Sequence, residues 1–265
     1  MSIENISENP KKPEYIIQGR SGVEGLGYSG ISERTMTVPQ AVRWASKKLP
    51  GGVLASVPES LVWRFEDSAE RESPKFSVVT RSLAAYFLDK GKLYVMISHN
   101  ADPKNNLVLA NANQGYAMHI AGKEFKVSFK NKKRNTPLGF LREEAEKLGM
   151  IHELPEKSLE LALNGEYANN AIAKSVTGNL GKEQEKYIAK QVNPLTTKKH
   201  TIGRVWLLSP EIVTKELNLN ESVAIVRPCW AGGVDYDDIS GLSAEDQFYN
   251  FGRARSVVHS RAKLK

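Results

Sequence analysis

The chain has 265 residues, 40% of them hydrophobic and 25% charged, which is enough for a sizeable core and argues against wholesale disorder. A net charge of +7 favours polyanionic partners, nucleic acid first and an anionic membrane surface second. Cys229 is the only cysteine, so no intrachain disulfide is possible, and the polar start "MSIENISENPKKPEY" lacks the apolar core of a signal peptide. No run is long enough to span a bilayer. The expectation is a soluble, cytoplasmic protein without a membrane partner.

Residues 1–36 read as a polar N-terminal arm rich in Gly, Ser, Asn and Glu. Within it, "GLGYSG" at Gly25–Gly30 matches G-x-G-x-x-G. A dinucleotide fingerprint needs a strand before those glycines and a helix opening on them, and no helical pattern starts until Thr37. The match is set aside.

Residues 37–135 read as a strand-rich α+β region. "TVPQAVRWASKKLPGG" predicts a helix capped by Thr37, with Pro39 in its first turn and Pro50-Gly51-Gly52 as the stop. "VLASVPESLVWRF" carries strand-like residues interrupted by Pro58, and "EDSAERESPK" reads as an exposed loop. "FSVVTRSLAAYFLDKG" is spaced for a buried helix ending at Gly91, and "KLYVMIS" for a strand. "AMHIAGKEFKVSF" predicts a hairpin turning at Ala121-Gly122.

From 136 to 265 the pattern predicts a helix-rich region. Helices are expected over "TPLGFLREEAEKLGM", "PEKSLELALNGEY", "GKEQEKYIAKQV" and "SPEIVTKELNLN", the last with Pro210 at its first position. "TIGRVWLLS" and "SVAIVRPCW" read as strands. "SAEDQFYNFGRARSVVHSRAKLK" reads as a basic C-terminal helix capped by Ser243. The expected fold class is therefore α+β, with a strand-rich N-terminal half, a helix-rich C-terminal half, a polar N-terminal arm and a basic C-terminal helix.

Positive charge falls in three clusters. Lys123, Lys126, Lys130, Lys132, Lys133 and Arg134 surround the second hairpin strand, where alternation would turn Lys126 and Lys130 away from Phe125, Val127 and Phe129. Lys182, Lys186 and Lys190 recur every four residues, so they share one helix face, and Lys198, Lys199 and Arg204 follow. Arg253, Arg255, Arg261, Lys263 and Lys265 crowd the C-terminus without an acid among them. Basic ladders of this kind suit a phosphate backbone, and Tyr116 and Tyr187 are placed to stack on bases. Each cluster read alone is also what a solvated face looks like.

Two candidate sites point to catalysis or metal. His99, Asp102 and His119 follow a strand, as the base and metal groups of an HNH-type nuclease do. Asp102 with Glu124 and Lys126 gives the order D…E-x-K of other metal-dependent nucleases. Asp235, Asp237 and Asp238 have the oxygen donors that Mg²⁺ or Ca²⁺ takes, without the spacing of a calcium loop. Cys229 reads as a buried, inert thiol. The leading expectation is a cofactor-free, self-associating protein that binds RNA or DNA through its backbone, such as a nucleoprotein or coat protein. A metal-dependent nuclease and a protein-interaction module without a nucleic-acid role are the alternatives.

Overall fold

The computed structural model describes residues 15–17, 26–29, 31–66, 77–99, 117–120, 124–128, 149–154, 160–162, 171–178, 204–216, 219, 223–232, 241–243 and 252–259. Its strands are β1 (Tyr15–Ile17), β2 (Leu26–Tyr28), β3 (Val53–Leu54), β4 (Val78–Asp89), β5 (Lys92–Ser98), β6 (Ala117–Ile120), β7 (Glu124–Ser128) and β8 (Gly149–Glu153). They continue with β9 (Glu160–Ala162), β10 (Arg204–Trp206), β11 (Val223–Ala231), β12 (Gly241–Ser243) and β13 (Ser256–His259). The helices are α1 (Val38–Lys48), α2 (Val57–Glu66) and α3 (Ala171–Thr177), with a π-helical turn at Ile212–Glu216. The expected helix-rich C-terminal half is not supported: strands dominate its described residues.

A large sheet runs in the order β8-β5-β4-β11-β12-β10-β9, and β7 also pairs with β11 and carries β6. A small sheet, β1-β2-β13-β3, sets the last strand between segments from the N-terminal part of the chain. β4 and β11 form the centre. Their antiparallel register runs from Ala224 opposite Phe87 to Ala231 opposite Val78, and it shifts between Pro228 and Trp230. Proline cannot donate to a ladder, so an interior strand accepts it only at such an irregularity.

Both faces of the sheet's centre are buried. Ala84, Tyr86, Val95, Ile97 and Ile225 pack with Val57 and Leu61 of α2 and Ala173 and Val176 of α3. Val79, Leu83, Ala85, Phe87, Met96 and Val226 pack on the other side with Val38, Ala41 and Ala45 of α1. Each large side chain so buried contributes roughly 1.5–3 kcal/mol. Burial on both faces explains why "FSVVTRSLAAYFLDKG" is a strand and not the expected helix: a strand covered twice has no polar alternation to betray it.

Several expected elements form where local chemistry decides them. Thr37 caps α1 through a capping box, its hydroxyl accepting from the Gln40 N–H while its own N–H donates to Gln40 Oε1 at 3.0 Å. β6 and β7 pair as the expected hairpin, β5 and β10 fall within the expected strands, and β11 runs one residue past its own, to Ala231. Other expectations fail. "VLASVPESLVWRF" yields the two-residue β3 and then α2, because Ser56 and Glu59 form a second capping box: Ser56 N–H donates to Glu59 Oε2 at 2.6 Å and Glu59 N–H to Ser56 Oγ at 3.3 Å. Glu160–Ala162, expected helical, is strand β9, and Gly149 and Met150 open β8. The remaining residues expected as helix over 136–148 and 181–192 lie outside the described ones.

The expected C-terminal helix is the largest correction. Ser243 closes β12, residues 252–255 are extended, and 256–259 are strand β13. A helix keeps its backbone bonds to itself; this stretch gives them away. Gly252 exchanges both backbone bonds with Met36, at 2.7 and 3.0 Å. Arg253 N–H donates to Ser77 O, and Val79 N–H to Arg253 O, each at 2.9 Å. Ser32 N–H donates to Ala254 O at 2.8 Å, Ala55 N–H to Arg255 O at 2.9 Å and Ser29 N–H to Ser256 O at 2.9 Å. Gly252 lies so close to its neighbours that a Cβ there would stand 2.7 Å from the Trp230 ring and 2.9 Å from Val79 Cγ1.

The β4–β5 turn consists of Lys90 and Gly91 between the paired Asp89 and Lys92, with φ of 51° and 76°. Positive φ at both central positions is the hairpin turn that matches strand twist, and Lys90 fills it against the preference for Asn or Gly. Lys90→Asn is expected to stabilise the protein by on the order of 0.5 kcal/mol. A rise in the urea midpoint would bear this out; a fall would contradict the turn assignment.

Candidate functional site

Strand ends accumulate along one rim of the large sheet. β5 ends at Ser98, opposite Leu83 midway along β4, and β8 begins beside it with Gly149. β11 ends at Ala231, opposite Val78, and β12 arrives there with Leu242. β10 begins with Arg204 opposite Gly241, and β9 ends with Ala162 opposite Arg204. Gly178, which follows α3, belongs to the same rim, since a Cβ on it would stand 3.6 Å from His99 Nε2. Segments 67–76, 100–116, 129–148, 163–170, 179–203 and 233–240 therefore each have at least one end on this rim. The opposite rim carries the tight Lys90-Gly91 turn.

A polar network braces the rim from within. Val57 N–H, at the start of α2, donates to Ser82 Oγ at 2.9 Å. Ser82 Oγ lies 2.8 Å from His99 Nδ1, and His99 Nε2 lies 2.7 Å from the carbonyl oxygen of Ser175 in α3. A carbonyl only accepts, so Nε2 carries the proton; Nδ1 then accepts from the Ser82 hydroxyl. Ser175 Oγ shares a second hydrogen bond, with His152 Nε2 at 2.5 Å. Arg81 bonds the His99 carbonyl at 3.2 Å and pairs with Glu59 at 2.8 Å. Further along, the buried Arg64 of α2 donates to the carbonyls of Ala231 and Gly232 where β11 ends. Burial pushes the His99 pKa from its ordinary 6.5 down to about 4, and burial also lowers that of His152.

The expected nuclease residues are not gathered here. His99 is in the network with both ring nitrogens engaged, whereas a general base needs an open lone pair within reach of its substrate. His119, on β6, is separated from β5 by β4, β11 and β7. Four inter-strand steps of about 4.8 Å put the two histidines about 19 Å apart along the sheet. Glu124 and Lys126 lie on β7, opposite Ile120 and Met118. Asp102 and the acidic trio Asp235, Asp237 and Asp238 lie outside the described residues. Among the described residues no three His, Cys, Asp or Glu side chains group to hold a metal.

Of the expected phosphate contacts, the structure describes the side chains of two, and both serve the fold. Arg253 Nη1 donates to Ser32 O at 2.9 Å. Arg255 is buried, donates to Ser29 O at 2.5 Å and lies 3.5 Å above the centre of the Trp63 ring. Arg204 opens β10 and Lys126 lies mid-β7. Lys123, Lys130, Lys132, Lys133, Arg134, Lys182, Lys186, Lys190, Lys198, Lys199, Arg261, Lys263, Lys265, Tyr116 and Tyr187 lie outside the described residues. Sequence reading missed Ser56, Glu59, Ser82, His152 and Ser175. Only Ser56-Val57-Pro58-Glu59 carries a local signal, the S-x-x-E of a capping box.

No protein-family model matches the chain, and no curated protein matches it in sequence. A solved structure from Nanoarchaeota, described as the accommodation of massive sequence variation by the C-type lectin fold, superposes on it with a TM-score of 0.55. The match covers 92% of this chain and 100% of that one at 14% identity. The fold is C-type lectin-like. Among the described residues no helix is long and apolar enough to cross a membrane, a statement that leaves membrane-spanning strands aside.

Arg255→Lys is expected to cost about 2 kcal/mol, because an ammonium cannot keep both the ring contact and the fixed donor fork. Urea unfolding checks the loss, and unchanged retention on heparin would separate it from a phosphate-binding role. For His99 the folded pKa is depressed, so the unfolded chain binds the extra proton first. Its stabilising effect is complete above pH 6.5 and is lost as pH falls toward 4, by about 3 kcal/mol. Chemical unfolding at pH 7 and pH 4.5 should give a smaller loss in His99→Asn than in the unsubstituted protein; equal losses would refute the assignment.

Proposed function

We propose that the protein is a binding module: a rigid C-type lectin-like scaffold that recognises a partner macromolecule through the segments joined at the Ser98–Gly232 rim. The convergence of strand ends on that rim carries this reading. Binding residues belong on connecting segments positioned by a fixed scaffold, and a sheet buried on both faces is such a scaffold. The engagement of both His99 nitrogens favours binding over the metal-dependent nuclease. The Nanoarchaeota protein supports the reading by analogy, since it is described as accommodating massive sequence variation on the same fold.

The sequence favours a second reading, contact with a nucleic-acid backbone and self-association along it. Segment 179–203 holds Lys182, Lys186, Lys190, Lys198 and Lys199 against Glu183 and Glu185. Under this reading those lysines meet phosphates, and affinity falls steeply as salt rises.

Replacing 182–199 by a Gly/Ser stretch of equal length separates scaffold from recognition. The expected result is a cooperative melt within about 3 °C of the original, the shift of roughly 1 kcal/mol in a chain of this length. Global unfolding of the variant would mean that the segment belongs to the scaffold. Fluorescence anisotropy with a single-stranded RNA tests the second reading in the same pair of proteins. Salt-sensitive binding that vanishes in the variant supports it, and no binding leaves the non-nucleic-acid module.

A further inference from the structure

We propose that the outer face of α1, formed by Gln40, Arg43 and Lys47 with Lys48 on its border, is a contact surface for the phosphate backbone of a nucleic acid. α1 joins none of the segments at the rim, so this surface stands apart from both readings above and does not rest on segment 179–203. The inward stripe of the helix is Val38, Ala41 and Ala45, all buried in the core shared with β4. At about 100° per residue, Gln40, Arg43 and Lys47 fall on the opposite side, and all three are exposed. Arg43 and Lys47 are four residues apart, which sets their Cβ atoms about 5–6 Å from each other.

The charge of this face is unspent. Elsewhere the fold consumes its cations: backbone carbonyls hold Arg64 and Arg253, Glu59 pairs with Arg81, and Glu153 pairs with Lys92. Among the described residues Arg43, Lys47 and Lys48 have no ion pair and no side-chain hydrogen bond. α1 holds no acid, and of β3, β13 and β4, which pack on it, β4 alone holds one, the buried Asp89. Glu33 and Arg34, both exposed ahead of the helix, offset one another. Lys47 and Lys48 in the last turn complement the helix dipole, but Arg43 lies at mid-helix, where that effect has faded. Gln40 Oε1 accepts from the Thr37 N–H, which leaves the amide NH2 of Gln40 as a donor beside the cations.

The chemistry of the face selects among anionic partners. A helix that lies on a membrane buries its apolar side among lipids, and the apolar side of α1 is spent on the core, with Val42 its one exposed large hydrophobic. A protein interface needs an apolar centre, and Gln40, Arg43, Ser46 and Lys47 supply none. A phosphate backbone asks for neither. Fixed charge, the planar fork of arginine and amide donors hold it, and such contacts position a strand without reading its bases.

Fluorescence anisotropy of the full chain with a labelled single-stranded oligouridylate, read over a salt series, tests the assignment. Neutralising both cations in Arg43→Gln/Lys47→Gln should lower the slope of log affinity against log salt by about 1.4, at about 0.7 per phosphate contact. Affinity at about 0.1 M salt should fall at least tenfold. Arg43→Gln alone should give half of the slope change, and it keeps the test open if the pair weakens the helix. Lys90→Gln/Lys174→Gln removes the same net charge from two other exposed lysines and should change neither quantity comparably. Absence of binding by the unsubstituted chain would overturn the proposal. Equal losses in the two double variants would overturn it too, by showing that net charge alone is at work. Binding that survives in the α1 variants but vanishes on replacement of 182–199 would overturn it while upholding the lysine segment. Binding to vesicles containing phosphatidylserine without binding to oligouridylate would overturn it in favour of a lipid surface.

Discussion

The fold depends on a five-residue stretch, Gly252–Ser256, laid between segments distant in sequence. Its backbone bonds reach Ser29, Ser32, Met36, Ala55, Ser77 and Val79. It therefore joins the small sheet to the start of β4, and with it the large one. Arg255 completes the closure by laying its guanidinium on Trp63 and donating to Ser29 O. Ser256 Oγ ties the same stretch to the last turns of α1 through Ala45 O at 2.8 Å. Unpaired, those backbone groups would each carry a desolvation cost, so the closure is held to one geometry.

This constraint explains why the C-terminus misleads a reader of sequence. Arginine and lysine repeated without acids resemble a solvated basic helix, and nothing local in Gly252-Arg253-Ala254-Arg255 announces that one arginine is buried and the other half-buried. The partners that consume the charge lie more than two hundred residues away. β4 misleads for a related reason. Its residues meet core on both sides, so the period-2 signal that marks a half-exposed strand is missing. By contrast α1 was legible because Thr37, Pro39 and Gln40 act within one turn. α2 was equally local in its Ser56–Glu59 box, but Pro58 and the β-branched neighbours masked it. In the candidate site His99 was legible as a chemical residue, whereas its role was not, because Ser82, Ser175 and His152 come to it only through the fold.

Scaffold and rim are continuous with each other. The α2 cap, the Glu59–Arg81 pair and the Ser82–His99–Ser175 chain form one path of polar contacts from helix to sheet to α3. Arg64 extends the bracing to the carbonyls where β11 ends. Buried polar groups satisfied in this way fix geometry more than they add stability. A rim so held fixes the described ends from which its connecting segments leave.

The most direct test of this account is the unfolding of a chain ending at Phe251, which lacks the closing stretch. The expected result is loss of a cooperative thermal transition and of dispersed amide signals, because the small sheet, α1 and the start of β4 lose a common partner. A truncated chain that still melts cooperatively near the temperature of the full one would contradict it, and would return Arg253 and Arg255 to the surface role that the sequence first implied.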